Sequence, residues 1–199
     1  MRGYRKYVGP KHKYDLMAAN QFCLMVYLGL RQGHTLLDIG CGSLRAGRLF
    51  IPYLSQGRYF GIEPNFWLVE QGIEKEIGKD MVRIKKPKFK KEDGFKLTVF
   101  NRTFDYLLAQ SIFSHTPYDD ILTCFVEARE CMHRESKFAA TFVEGDKDYE
   151  GREWKYPDFV TYREETIGST AMMAGLKYTR LRWKHMNGQV WFLLERRET

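Results

Sequence analysis

No apolar run in the 199-residue chain approaches the roughly 18–20 residues needed to cross a bilayer. The basic opening, MRGYRKYVGPKHKYD, is not followed by the apolar stretch of an export signal. A cytoplasmic location, without membrane attachment, is the expectation. Cysteine is scarce: Cys23, Cys41, Cys124 and Cys131 form no CxxC pair, so neither a zinc site nor a disulfide framework is expected. Cys124 and Cys131, seven apart, suit one buried helix face. Internal repeats, low-complexity segments and a linker are also absent, which favours a single domain over 1–199. Acids are the minority, 25 against 32 Lys and Arg, and the net charge of +7 favours anionic partners without naming one. Lys85, Lys86, Lys88, Lys90 and Lys91 supply much of that excess. They suit a solvated loop, or else a phosphate-bearing or nucleic-acid partner. The aromatics are plentiful but not interleaved with these lysines, as a stacking platform for bases would be.

What the chain does have is an ordered series of apolar runs and breaks. Residues 1–30 comprise a basic segment and a helix, Tyr14 to Leu30, whose apolar positions recur at helical spacing; the segment is a candidate lid. A strand over Thr35–Ile39 runs into Gly40-Cys41-Gly42, with Ser43 placed as the N-cap of a helix over Leu44–Leu54. Gly57 to Asn65 reads as a second strand ending on Glu63 and Pro64, then a helix over Phe66–Ile77 stopped at Gly78. A short third strand is expected within Val82–Glu92, ahead of Asp93-Gly94. FDYLLAQ (Phe104–Gln110) is a fourth strand, followed by a loop and a helix over Tyr118–Met132. Lys137–Glu144 is a fifth strand. The polar and aromatic insert 145–162 has no period and lies on the substrate side by this reading, as a lid or as cover for the core edge. A helix over Glu164–Ala174 and two strands, Lys177–Trp183 and Val190–Glu195, close the chain around the hairpin signal Asn187-Gly188. This βα alternation predicts a doubly wound α/β sheet with one antiparallel strand.

The glycine turn selects among nucleotides. Glu63 stands 21 residues beyond Gly42, where an acid accepts from ribose hydroxyls. A pyrophosphate fingerprint needs a third glycine where Arg45 stands, and no lysine followed by Ser or Thr completes a Walker loop. The pattern left is acid-x-Gly-x-Gly, with Asp38 two residues before Gly40.

LLDIGCGSLRAG, GIEPN and FDYLLAQSIFSH, in this order, resemble the class I S-adenosylmethionine-dependent methyltransferases (EC 2.1.1), in particular small bacterial members. The resemblance covers roughly Thr35 to Glu144, and the closing hairpin extends it to nearly the whole chain. It implies a Rossmann-like, doubly wound, seven-stranded, mostly parallel sheet with helices on both faces. It implies S-adenosylmethionine as cofactor and S-adenosylhomocysteine as product. The Gly40-Cys41-Gly42 backbone would pack against the cofactor, and Asp38 would anchor the turn and reach the methionine ammonium. Glu63 would bind ribose, Pro64 the adenine edge, and Asp93 with Gly94 or Phe95 the adenine amine. Gln110 and Ser111 would face the methionine portion. Arg45 would pair with the methionine carboxylate, or else sit on the surface of the helix's first turn.

A hydroxyl acceptor needs a general base near neutral pKa. His115 is the first candidate, its alternative being a structural histidine capping the helix after Pro117. Glu144 is the second, its alternative a carboxylate paired with an arginine. Trp154, Tyr156 and His185 are candidate substrate contacts. Asp119 and Asp120 complement a helix dipole, so no metal site is expected. The reading is O-methylation of a small molecule. Its rivals are an RNA or protein methyltransferase and a non-catalytic cofactor-binding protein.

Overall fold

The computed structural model describes residues 3–197. It divides into two compact units, Met1–Asp93 and Gly94–Thr199. The first holds α1 (Tyr4–Tyr7), α2 (Tyr14–Tyr27), β1 (Leu36–Ile39), α3 (Gly47–Tyr53), β2 (Tyr59–Ile62), α4 (Phe66–Gly72), α5 (Lys79–Lys85) and β3 (Lys88–Lys90). The second holds β4 (Phe104–Ala109), α6 (Tyr118–Glu130), β5 (Met132–Phe142), α7 (Glu164–Met173), β6 (Leu176–Leu181) and β7 (Val190–Arg196). The strands make one seven-stranded sheet in the order β3-β2-β1-β4-β5-β7-β6. β7 runs antiparallel to both β5 and β6. This is the doubly wound, mostly parallel α/β fold expected.

Residue chemistry accounts for each strand's place. LLDI of β1 and YFGI of β2 are buried at every position, as strands covered on both faces must be. They pair in parallel register, Asp38 opposite Gly61. β3 ends the sheet as KFK, exposing Lys88 and Lys90, a composition that discourages pairing with another chain. In the second unit Phe113, Phe125, Phe138, Phe142 and Phe192 form one aromatic core. Phe113 stacks on Phe142 at 5.0 Å and Phe142 meets Phe192 edge-on at 5.8 Å. Each such burial contributes about 1.5–3 kcal/mol, and each ring pair about 0.5–1.5 more.

Three local expectations need correction. Ser43 does not cap α3, which starts at Gly47 behind Ala46. The Ser43 side chain is buried instead, 3.1 Å from the Tyr14 hydroxyl. Leu44, at φ 58°, carries the extra turn that delays the helix. The short third strand expected within Val82–Glu92 is present as β3, preceded by α5, which reaches Lys85. β5 begins at Met132, because its first residues pair with the start of β4 across a register shift between Phe104 and Tyr106. β6 ends at Leu181, leaving Trp183 in the loop. The helix over 66–77 is present but relaxes into a π-turn at Ile73–Ile77, which Gly78 ends at φ 81°.

Candidate functional site

In the first unit the glycine turn, Glu63 and Asp38 form one hydrogen-bonded group. Gly40 and Gly42 have φ of 68° and 54°, a region costly for side-chain-bearing residues. The turn closes by bonds from the Gly40 and Cys41 amides to the Ile62 carbonyl, at 2.9 and 3.0 Å. Gly42 N–H donates to Glu63 Oε2 at 2.9 Å, and Asn65 N–H donates to Glu63 Oε1 at 2.9 Å. Each carboxylate oxygen therefore takes one backbone donor and keeps a lone pair. Desolvation raises the Glu63 pKa above the ordinary carboxylate value. Gly61 makes room for this arrangement, since a Cβ there would lie 2.8 Å from Cys41 Sγ. Burial pushes the Cys41 thiol up as well.

Asp38 lies beneath the turn, 5% exposed, with the Tyr59 hydroxyl donating to its Oδ2 at 2.6 Å. Desolvation raises its pKa to about 7, against the opposing pull of the Tyr59 bond and the Arg45 charge. Arg45 is not a surface arginine. Desolvation lowers its pKa to about 10, and it donates to the Val8 carbonyl at 2.5 Å.

That bond ties the N-terminal segment to the turn. A Cβ on Gly42 would fall 2.8 Å from Val8 Cγ1, so Val8 rests directly on the glycine. Around it, Tyr7 meets Trp67 edge-on at 5.5 Å. Arg5 makes two bonds to Glu76, at 2.7 and 3.0 Å, and stacks over the Tyr14 ring at 4.5 Å. Tyr4 adds a third bond to Glu76 at 2.7 Å. The π-turn carries Glu76 inward, leaving its side chain 2% exposed. Pro64 and Asp93 are exposed.

In the second unit the β4 end, the insert and the β6–β7 loop meet. Phe95 and Ser111 both have φ of 57°, strained backbone of the kind that collects at functional sites. Ser111 N–H donates to Thr141 Oγ1 at 2.7 Å. Gln189, not singled out from the sequence, donates through Nε2 to Ser111 Oγ at 2.9 Å. The Gln110 amide contacts both Ser111 Oγ and His185 Nε2.

His115 is fixed by the insert. Lys155 N–H donates to the His115 carbonyl at 2.9 Å, and Val160 N–H to that of Ser114 at 2.8 Å. His115 Nδ1 faces the carbonyls of Asp158 and Lys155 at 2.6 and 3.0 Å. Two acceptors around Nδ1 place the ring proton there and leave the Nε2 lone pair available. Tyr156 meets the His115 ring edge-on at 5.2 Å. Trp154 stacks on Phe95 at 5.9 Å, with its indole N–H on Asp120 Oδ2 at 2.8 Å, yet stays 45% exposed. Glu144 lies apart from this group, held at both oxygens by Arg180. That pairing lowers the Glu144 pKa.

Comparison with known proteins places the fold. No family model and no curated protein matches the chain. Solved structures do. One is the magnesium protoporphyrin IX methyltransferase ChlM of Synechocystis PCC 6803 with bound SAH: 13% identity, TM-score 0.69, covering 98% of this chain and 92% of that one. Another is an S-adenosylmethionine-dependent methyltransferase of Clostridium acetobutylicum ATCC 824, at 13% identity, TM-score 0.65, with 93% and 92% covered. A third is DesVI of Streptomyces venezuelae, at 14% identity, TM-score 0.67, with 96% and 95% covered. The chain has the Rossmann-like fold of the S-adenosylmethionine-dependent methyltransferases.

Proposed function

We propose that this chain is an S-adenosylmethionine-dependent methyltransferase acting on a small molecule, with oxygen as the atom methylated. The observation that carries the reading is Glu63: a buried carboxylate, braced by two backbone amides at the rim of the glycine turn, with lone pairs left for two vicinal hydroxyls. The first unit fits the cofactor in charge as well, the buried Asp38 beneath the turn suiting its ammonium. When bound, the cofactor supplies a methyl group on a positively charged sulfur.

The chain's own residues position and desolvate the reactants. Asp38 holds an ammonium, and its affinity for it depends on losing its proton. His115 takes the acceptor's hydroxyl proton at Nε2, while the carbonyls of Asp158 and Lys155 steady the imidazolium that forms. Glu144, kept ionised by Arg180, is a weak base and holds the hairpin to the insert's start. Trp154 and Tyr156 offer a planar acceptor an aromatic face. The basic run at 85–91 is edge protection in this reading. Lys85 donates to the Leu54 carbonyl and Lys88 lies over the Phe60 ring.

Release of S-adenosylhomocysteine, followed across a panel of phenols, carboxylic acids, amines and RNA, tests the assignment. Turnover on a phenol or an acid supports it; turnover on RNA alone, weakened steeply by salt, would replace it with the macromolecular reading.

A further inference from the structure

Within the second unit, one residue of the insert grips His115 twice. The Lys155 N–H donates to the His115 carbonyl at 2.9 Å, and the Lys155 carbonyl lies 3.0 Å from His115 Nδ1. The Asp158 carbonyl, 2.6 Å from the same nitrogen, completes the grip. The insert also holds the backbone on either side. Val160 N–H donates to the Ser114 carbonyl at 2.8 Å, and the Tyr162 hydroxyl donates to that of Thr116 at 2.9 Å. Val160 and Tyr162 are buried, so packing sets their place. Residues 151–159, which carry both carbonyls on Nδ1, are exposed throughout and belong to no helix or strand. The direction of those carbonyls must therefore be set by an anchor to the body of the unit.

Trp154, the neighbour of Lys155, is that anchor. Its ring stacks on Phe95 at 5.9 Å, and its indole N–H donates to Asp120 Oδ2 at 2.8 Å. A stack lets a ring slide and turn; a bond from its single N–H to a carboxylate fixes which way it points. Asp120 stands in the first turn of α6, which starts at Tyr118, three residues past His115. It thus joins the end of the loop that carries His115 to the exposed stretch that orients the ring. The helix dipole accounts for an acid in this turn, and Asp119 serves it as well; the bond to the indole belongs to Asp120.

We infer that Asp120 is a positioning residue for His115: by holding the Trp154 indole it keeps the Lys155 and Asp158 carbonyls on Nδ1, and so keeps the ring proton there and Nε2 open to the acceptor's hydroxyl. The inference rests on the proposed function for the role of His115 as base, and on geometry alone for the orientation of its ring. Asp120 acts through the insert rather than by touching a reactant.

Two measurements test it. Long-range ¹H–¹⁵N spectra of the ligand-free protein at neutral pH report the ring, the His115 signals being those lost in His115→Asn. Wild type should show a proton on Nδ1 and a bare Nε2. Asp120→Ala should show the two tautomers mixed. Asp120→Asn, whose amide oxygen still accepts from the indole, should return to the wild-type pattern. Trp154→Phe keeps a ring on Phe95 but removes the N–H, so it should reproduce Asp120→Ala, and combining the two should add nothing further. An unchanged ring in Asp120→Ala overturns the inference. So does an equal disturbance in Asp120→Asn, which would leave Asp120 acting through its charge on the helix. Steady-state kinetics give the second reading. In Asp120→Ala kcat should fall about ten-fold, with recovery in Asp120→Asn and S-adenosylhomocysteine affinity unchanged in both. A mixed ring with undiminished kcat would contradict the inference as well. A wild type that methylates no acceptor would instead overturn the proposed function, and the ring spectra would still decide whether Asp120 positions His115. Should Asp120→Ala fail to fold, Trp154→Phe and Asp120→Asn carry the test.

Discussion

Tyr59 and Asp38 share a 2.6 Å hydrogen bond under the glycine turn, and the carboxyl it reaches has a pKa of about 7. Burial favours the neutral acid, and a ligand's ammonium would favour the carboxylate. Binding of S-adenosylhomocysteine below about pH 7 should therefore release a proton. Affinity should tighten as pH rises from 6 to 7.5 and then level off. Asp38→Asn should bind more weakly and lose this slope. Calorimetry in buffers of different ionisation enthalpy counts the proton directly; a flat profile for the wild type contradicts the assignment.

The same shift bears on stability. The folded state of an acid with a raised pKa holds its proton more tightly than the unfolded chain does. Stability from Asp38 thus declines as pH rises from about 4, the unfolded value, to about 7. In Asp38→Asn that decline should vanish, flattening the melting temperature across this window relative to wild type. An unchanged slope would show that Asp38 is not the titrating group.

Gly42→Ala places a methyl group 2.8 Å from Val8 Cγ1 and forces a side chain onto a φ of 54°. The strain should cost about 1–3 kcal/mol, read by denaturant unfolding. Because the turn must shift, S-adenosylhomocysteine affinity should fall more than ten-fold. A variant as stable as wild type, with full affinity, would show that Val8 and the turn yield freely.

Glu76→Gln removes the charge that Arg5 and Arg48 share. It weakens the bonds holding the first helix, at an expected cost of about 1–3 kcal/mol. In a chain of this size that lowers the melting temperature by very roughly 3–10 °C. Limited proteolysis should then cut first near Arg5, Lys6 and Lys11. Unchanged cleavage there would mean that Val8–Arg45 and Tyr7–Trp67 suffice to hold the segment.

His115→Ala should lower kcat by about 10²–10⁴ while leaving S-adenosylhomocysteine affinity within about two-fold. Wild-type turnover in this variant removes His115 from the chemistry. A comparable loss in Glu144→Gln with His115→Ala unaffected would transfer the role to the carboxylate.

Much of the fold was readable because its strands are short apolar runs separated by glycine turns, and periodicity reports such runs well. The start of α3 was not, because a serine four residues ahead of the helix looks like a cap whatever it bonds to. Here it bonds Tyr14, a partner 29 positions away. The same limit hid the N-terminal arrangement. Val8, Arg5 and Glu76 have no local pattern, and only tertiary contact reveals that Arg45 spends a hydrogen bond on Val8. Arg45 itself carried a signal, being a charge in the place of a small residue, but its partner was out of reach. In the second unit the strand end at Gln110 was legible, whereas Gln189 follows a hairpin turn, where a polar residue is ordinary. The anchoring of His115 by carbonyls of the insert could not be read from side chains at all, since backbone acceptors are common to every residue.

The most direct test of the central claim is titration calorimetry of the wild-type protein with S-adenosylhomocysteine beside Glu63→Ala, at pH 7.5 and moderate salt. One ligand per chain with micromolar affinity, lost by at least ten-fold in Glu63→Ala, is the predicted result. A folded wild type that gives no binding heat with millimolar S-adenosylhomocysteine, and whose melting temperature is raised by NAD instead, would contradict it.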